Sequence, residues 1–243
     1  MSDSNTPISF NWNIHASQFR QRRQTRCRDD GTQHVLFILD SSGSISPSDF
    51  TEMKQAVAKL VPLFCKKIKT ALINFSSDIR LEFCFDCFKN TLLGRRAASV
   101  AIQRAQPLGQ CTNTGATARC VCDNILDGSC GISSTPSCLD VVLITDGQSN
   151  DPRLRVCDEI RCLHNKAGIN TYAVGIGGYN PTELECIDNT SDDFGMFEYE
   201  TFREFKESID YVVALVTNAT LRGNYYSCAT RDRLFSPIGS PFG

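Results

Sequence analysis

The chain has 243 residues, with 25 Lys and Arg against 27 Asp and Glu and a formal net charge of −2. That length suits one sizeable α/β domain, and the near-neutral balance gives no support to a nucleic-acid surface. Thirteen cysteines are too many for a reduced cytosolic enzyme of this size; they point to an oxidising compartment and leave at least one thiol outside intrachain pairing.

Residues 1–32 are polar and basic with no clear period and read as an N-terminal extension. Their arginines, Arg20, Arg22, Arg23, Arg26 and Arg28, make a short solvated arm rather than a polyanion contact. The opening MSDSNTPISFNWN lacks the apolar core of a signal peptide. Set against the cysteine content, this leads us to expect a secreted protein seen as a processed form or as a piece of something longer. No apolar stretch is long enough to span a membrane.

From Val35 the texture changes. Short β-branched apolar runs at 35–39, 70–75, 79–85, 140–145 and 170–176 alternate with amphipathic stretches. This predicts a doubly wound α/β fold: a mostly parallel central sheet, helices on both faces, and one antiparallel edge strand formed by a hairpin around Ser76 and Ser77. The first helix follows the Ser46 cap, with Pro47 in its first turn and Asp49 at its positive end. Phe50, Met53, Val57, Leu60, Val61 and Phe64 form its apolar face, and Pro62 should bend its last turns. Further helices are expected over 91–105, 114–127 and 152–167, after Asn180-Pro181, and over 201–219. The domain is expected to cover 33–220, with 221–243 as a tail.

Cys27 and Cys228 flank this domain, and a bond between them would close it at a denatured-state entropy cost of about 4 to 5 kcal/mol. Cys120, Cys122, Cys130 and Cys138 are expected to pair among themselves. Structural zinc is disfavoured: Cys84 and Cys87 have a Cys-x-x-Cys spacing, but Cys120 and Cys122 do not, and His15, His34 and His164 are scattered. Sequons at Asn74, Asn189 and Asn218 suggest a glycoprotein; the first closes an apolar run and should be buried, whereas the other two are read as surface positions.

In an open parallel sheet, ligands gather beyond the C-terminal ends of the strands. The first strand ends at Asp40, in LDSSGS, and the fourth at Asp146, in ITDG. Between them CTNTG supplies Thr112. If the loops share one edge, Asp40, Ser42, Ser44, Thr112 and Asp146 converge. All offer oxygen and none offers nitrogen or sulfur, which suits a hard divalent cation, Mg²⁺ first and Mn²⁺ or Ca²⁺ as alternates. The i, i+2, i+4 spacing of Asp40, Ser42 and Ser44 can aim three side chains at one point, and Gly43 lets the backbone turn where a Cβ would obstruct. Two carboxylates and neutral hydroxyls underfill an octahedral shell, leaving a position for water or for a carboxylate from another molecule. Taken singly, the serines read as loop donors, Asp146-Gly147 as a turn and Thr112 as a helix cap; a cation site explains them together.

These residues resemble the metal-ion-dependent adhesion site of the von Willebrand factor type A domain family, in its extracellular matrix and adhesion branch. The likeness runs over roughly 33–220 and extends to NFSSDIR at 74–80 and YAVGIG at 172–177. It implies a doubly wound sheet with six or so helices, serines and threonine on the ion, acids acting directly or through water, and an acidic partner residue completing the shell. One departure is Cys111, where many members have glycine; a disulfide there would restrict the Thr112 loop.

The expected function is therefore extracellular adhesion or protein binding through the cation, with collagen, another matrix protein or a receptor as partner. The alternative is a disulfide-rich structural module, even a disulfide-linked oligomer, whose assembly does not depend on the metal. Catalysis is not expected. Position 42 is serine where a phosphoryl-transfer site would carry a second carboxylate, no histidine lies near these loops in sequence, and Gly175-Ile176-Gly177-Gly178 is a poor dinucleotide fingerprint.

Overall fold

The structure is a computed structural model that describes residues 33–64, 68–132, 138–151, 154–190 and 195–216. The expected extension and tail, Cys27, Cys228 and the Asn218 sequon lie outside the described residues.

Strands β1 (Gln33–Asp40), β2 (Ile68–Phe75), β3 (Ile79–Phe83), β4 (Cys138–Thr145), β5 (Ile169–Ile176) and β6 (Met196–Tyr199) form one six-stranded sheet in the order β3-β2-β1-β4-β5-β6. Only the β2–β3 pair is antiparallel. The expected mixed sheet with an antiparallel edge strand is therefore present. The β6 strand is an addition to the sequence reading. It is four residues long with Glu198 exposed, too short and too polar to stand out by pattern.

Helices α1 (Pro47–Leu60), α2 (Leu92–Arg104), α3 (Thr114–Cys120), α4 (Val156–Glu159), α5 (Arg161–His164), α6 (Pro181–Ile187) and α7 (Phe202–Val216) cover the sheet. Both faces are buried because successive strand residues point to opposite sides. Val35, Phe37 and Leu39 of β1 pack with Phe50, Met53 and Val57 of α1, Ile102 of α2 and Phe205 and Ile209 of α7. Leu36 and Ile38 pack instead with Ala118 of α3, Val156 of α4, Leu163 of α5 and Leu184 and Ile187 of α6.

Local chemistry explains several boundaries. Ser46 caps α1 by accepting the Asp49 N–H at 3.1 Å. At Pro62 the helix passes into a 3₁₀ turn over Val61–Leu63, since proline has no N–H for the ladder. The buried Lys54 ammonium donates to Gln103 O and Ala105 O at 3.0 and 2.6 Å, fixing the end of α2 against α1. Helix α3 runs on into a π turn over Val121–Ile125. The helix expected over 152–167 is instead two single turns, α4 and α5. Disulfides Cys157–Cys186 and Cys122–Cys162 tie them to α6 and to the π turn.

The cysteines correct another expectation. Cys122 pairs with Cys162 and Cys130 with Cys84, while Cys120 is a free thiol. Cys138 is also disulfide-bonded. Pairing follows the tertiary neighbours rather than closeness in sequence. Of the sequons, Asn74 is fully buried, as expected. Asn189 is half-buried rather than displayed: its Oδ1 accepts the Thr171 N–H and its Nδ2 donates to Ile169 O.

Candidate metal centre

The C-terminal ends of β1 and β4 lie side by side because the two strands pair in parallel register, Leu39 beside Ile144. β1 is also where the strand order turns: β2 lies on one side of it and β4 on the other. The loops after β1 and β4 therefore open on opposite sides of a crevice, the usual position of ligands in this class of sheet.

Four of the expected residues form one hydrogen-bonded chain. Asp40 is fully buried and accepts the Ser42 N–H on Oδ1 at 2.8 Å. Ser42 Oγ lies 3.1 Å from Ser44 Oγ, and Ser44 Oγ donates to Asp146 Oδ1 at 2.8 Å. Thr112 arrives from the other side. A methyl group on Gly147 would lie 3.7 Å from Thr112 Oγ1 and 3.9 Å from Ser44 Oγ, so the bare glycine leaves space between the two hydroxyls. Gly43 is tight, as anticipated: a Cβ there would come within 3.2 Å of Gln110 O.

The Thr112 loop is positioned by backbone bonds from all its neighbours. Leu108 N donates to Ser41 Oγ, Gly109 N to Ser41 O and Gly43 N to Gln110 O. Cys111 N donates to Ser77 Oγ and Asn113 N to Ser76 O. The reversal uses left-handed backbone at Gly109 and at Gln110, φ 71° and 72°, the second a conformation that costs a side-chain-bearing residue energy. Asn113, without a side-chain capping bond, flanks the start of α3, and the Thr112 N–H donates to Asn150 Oδ1 at 2.8 Å. Cys111 is an exposed free thiol, so no disulfide restricts the loop.

Residues that sequence reading passed over complete the frame. Thr145 Oγ1 donates to Asp40 Oδ2 at 2.6 Å and accepts the Gly147 N–H at 3.1 Å. Asn150 clamps Thr112, returning its own N–H to Thr112 O at 2.7 Å. Glu183 of α6 accepts the Ser149 N–H at 2.9 Å. The signal for Thr145 was its place beside Asp146 in ITDG; nothing in the sequence marks Asn150 or Glu183.

Charge is concentrated here without compensation. Burial pushes the Asp40 carboxyl up to about 6, against hydrogen bonds from Thr145 and Ser42 that pull it down, and the Asp146 charge pushes it further up. Asp146 is raised as well, first by burial and then by Asp49, with the Ser44 hydroxyl opposing. Among the described residues neither acid makes an ion pair. Buried hydroxyls of Ser76 and Ser149 on the adjoining loops and of Thr114 at the start of α3 have no hydrogen-bond partner among them either. Two desolvated acids linked through Ser42 and Ser44 fit a hard cation, which would offset the charge that burial disfavours. Among the described residues no three His, Cys, Asp or Glu side chains cluster as metal ligands; this donor set relies on hydroxyls instead.

Comparison with known proteins bears on this geometry. The family model for the von Willebrand factor type A domain matches residues 34–210. The chain is 27% identical over 197 residues to the collagen alpha-4(VI) chain of Mus musculus, covering 78% of this chain and 8% of that one. It is 27% identical over 173 residues to matrilin-3 of Gallus gallus, covering 69% and 36%. The chain thus spans well under half the length of these relatives. Among solved structures, proximal thread matrix protein 1 from the mussel byssus aligns with a TM-score of 0.66 at 25% identity, covering 78% of this chain and 48% of that one. A further structure of that mussel protein has zinc in its MIDAS motif, the metal-ion-dependent adhesion site.

Proposed function

The chain belongs to the von Willebrand factor type A domain family, and on that premise we propose that it is a secreted, extracellular protein-binding module. Asp40, Ser42, Ser44, Thr112 and Asp146 would hold a divalent cation, Mg²⁺ first and Mn²⁺ or Ca²⁺ as alternates. The bound cation would supply a Lewis-acidic position for a carboxylate of a partner protein, for instance on collagen, another matrix protein or a receptor. The relatives' names, a collagen chain and a matrilin, support the matrix setting, and zinc in the mussel protein's motif supports the cation.

The observation that carries this reading is the hydrogen-bonded run from Asp40 through the Ser42 N–H and the Ser42 and Ser44 hydroxyls to Asp146. Each residue has a distinct part. The two acids provide the charge. Thr145 and the Ser42 N–H orient the Asp40 carboxylate. The Asn150 clamp holds Thr112 at the rim. We read the module as a binder rather than an enzyme. Position 42 offers a hydroxyl and no second carboxylate, and His164 is engaged with Thr171 and Ile187 O rather than with this crevice.

Titration calorimetry of Mg²⁺ and Mn²⁺ into the full chain tests the proposal. One saturable site is expected, lost in Asp40→Ala while circular dichroism shows the fold intact. Absence of saturable binding in the unsubstituted chain would overturn it. A second reading, a disulfide-based structural module, is favoured by the Cys84–Cys130, Cys122–Cys162 and Cys157–Cys186 bonds together with the exposed thiols of Cys87 and Cys111. Binding to immobilised collagen or matrilin decides between the two: loss with EDTA supports the cation-bridged module, and persistence with EDTA supports the structural one.

A further inference from the structure

Three cysteines meet just beyond the end of β3. Cys84 is bonded to Cys130, with Cα atoms 4.9 Å apart, and Cys87 is a free, exposed thiol. The segment Cys84-Phe85-Asp86-Cys87 closes as a turn. The Cys87 N–H donates to Cys84 O at 3.2 Å, and the Cys84 N–H donates to the Cys87 sulfur at 3.1 Å. A free sulfur is thus folded back onto the residue that carries the disulfide. The Cys-x-x-Cys spacing is one in which two sulfurs can join directly.

The third sulfur sits in different surroundings. Cys130 is 1% exposed and packs within the apolar cluster that includes Phe85, Ile125 and Ile132. Its segment is held to the turn by more than sulfur. Phe85 N donates to Cys130 O at 3.2 Å, and a Cβ on Gly131 would come within 2.6 Å of Asp86 Cγ. These contacts keep all three cysteines together whichever pair is bonded.

We propose that Cys87 is a thiol–disulfide exchange site acting on the Cys84–Cys130 bond. The Cys87 thiolate attacks Cys84 Sγ, the Cys84–Cys130 bond breaks, and a Cys84–Cys87 bond forms. Cys130 leaves as a thiolate and takes up a proton equivalent to the one Cys87 gave up. One disulfide is lost and one is gained, so neither oxidant nor reductant is consumed. Burial disfavours the Cys130 thiolate, which makes Cys84–Cys130 the resting pair. The exchange replaces a tie across a separation of 46 residues with a local one. It removes the covalent tie between the segment after the π turn and the β3 edge, while the Phe85–Cys130 backbone bond remains, and moves the reactive thiol from surface to interior. This site is independent of the cation centre.

The full, oxidised chain tests this without added thiol or oxidant. It is incubated at about pH 6, well below the ordinary thiol range, and at about pH 8.5, within it, then quenched in acid. Denaturation, alkylation with N-ethylmaleimide and digestion without reduction follow, with mass spectrometry as the readout. A minor fraction with a Cys84–Cys87 bond and alkylated Cys130 is expected, reaching its steady level at least about tenfold faster at the higher pH because the thiolate is the attacking species. Cys87→Ser should remove that species and leave Cys84–Cys130 intact. Cys130 remaining fully bonded at both pH values would overturn the proposal, as would alkylated Cys130 appearing equally in Cys87→Ser.

Discussion

Two aspartates are buried on adjacent central strands, and they are treated in opposite ways. Asp140 lies near the start of β4 and is 1% exposed. Its Oδ2 accepts from Gln33 Nε2, and its Oδ1 accepts from Asn170 Nδ2 at 2.9 Å and Tyr172 OH at 3.3 Å. Those donors come from both neighbouring strands, so this acid is satisfied inside the sheet. Asp40 closes β1 at the other edge and is fully buried. It has Thr145 and the Ser42 N–H, but it also faces a second acid through the serine bridge. The difference teaches that burial alone does not mark a site. A buried acid at the C-terminal end of a strand, surrounded by acceptors and hydroxyls, is unfinished within its own fold; one near the start of a strand, surrounded by amides and a phenol, is complete.

The largest expected effect breaks the complete acid. Asp140→Ala removes the shared acceptor of Gln33, Asn170 and Tyr172 inside the sheet. A loss of about 3 to 5 kcal/mol in urea unfolding is expected, with Mg²⁺ affinity unchanged in the molecules that remain folded. A stable Asp140→Ala would show that this cluster is not the closed network inferred for it.

The unfinished acid gives a pH signature of nearly the same size. A folded carboxyl raised from 3.8 to about 6 holds its proton more tightly than the unfolded chain does. Metal-free stability from this group is therefore fully present below about pH 4 and falls as pH rises towards and through about 6. At about 1.4 kcal/mol per pH unit the loss is roughly 3 kcal/mol. Asp40→Asn cannot ionise, so its stability relative to the unsubstituted chain should improve by about that amount between pH 4 and pH 7 without divalent cations. Mg²⁺ should reverse the trend in the unsubstituted chain alone, because it requires the ionised form. Parallel pH profiles for the two proteins would remove the distinction between the acids.

Thr145→Val sharpens the comparison most gently. It removes the Oγ1 donor to Asp40 and the acceptor for Gly147 N while keeping the side chain's shape. A stability loss of about 1 to 2 kcal/mol is expected, with Mg²⁺ affinity weakened less than in Asp40→Ala because the carboxylate remains. An affinity loss equal to that of Asp40→Ala would make Thr145 part of the cation's own shell.

Much of this could be read from residue order. Five of the six strands carried a legible apolar run, and β6 did not, being short, half-polar and paired along one side only. Ser46, Pro47 and Asp49 announced the start of α1 through local capping chemistry, which needs no distant partner. The oxygen-bearing residues after β1 and β4 were recognisable because loop spacing within one segment is a local property.

What the sequence by itself determined is therefore periodicity, caps and the chemistry of each loop, all set by interactions among near neighbours along the chain. Tertiary structure decided which loops met. Parallel pairing of β1 with β4 put Ser44 against Asp146, 102 positions away. It likewise set Asn150 against Thr112 and Cys84 rather than a nearer cysteine against Cys130. The reason is physical: a hydrogen bond or disulfide between distant segments depends on strand order and packing distance, and neither leaves a periodic trace in the residues it joins.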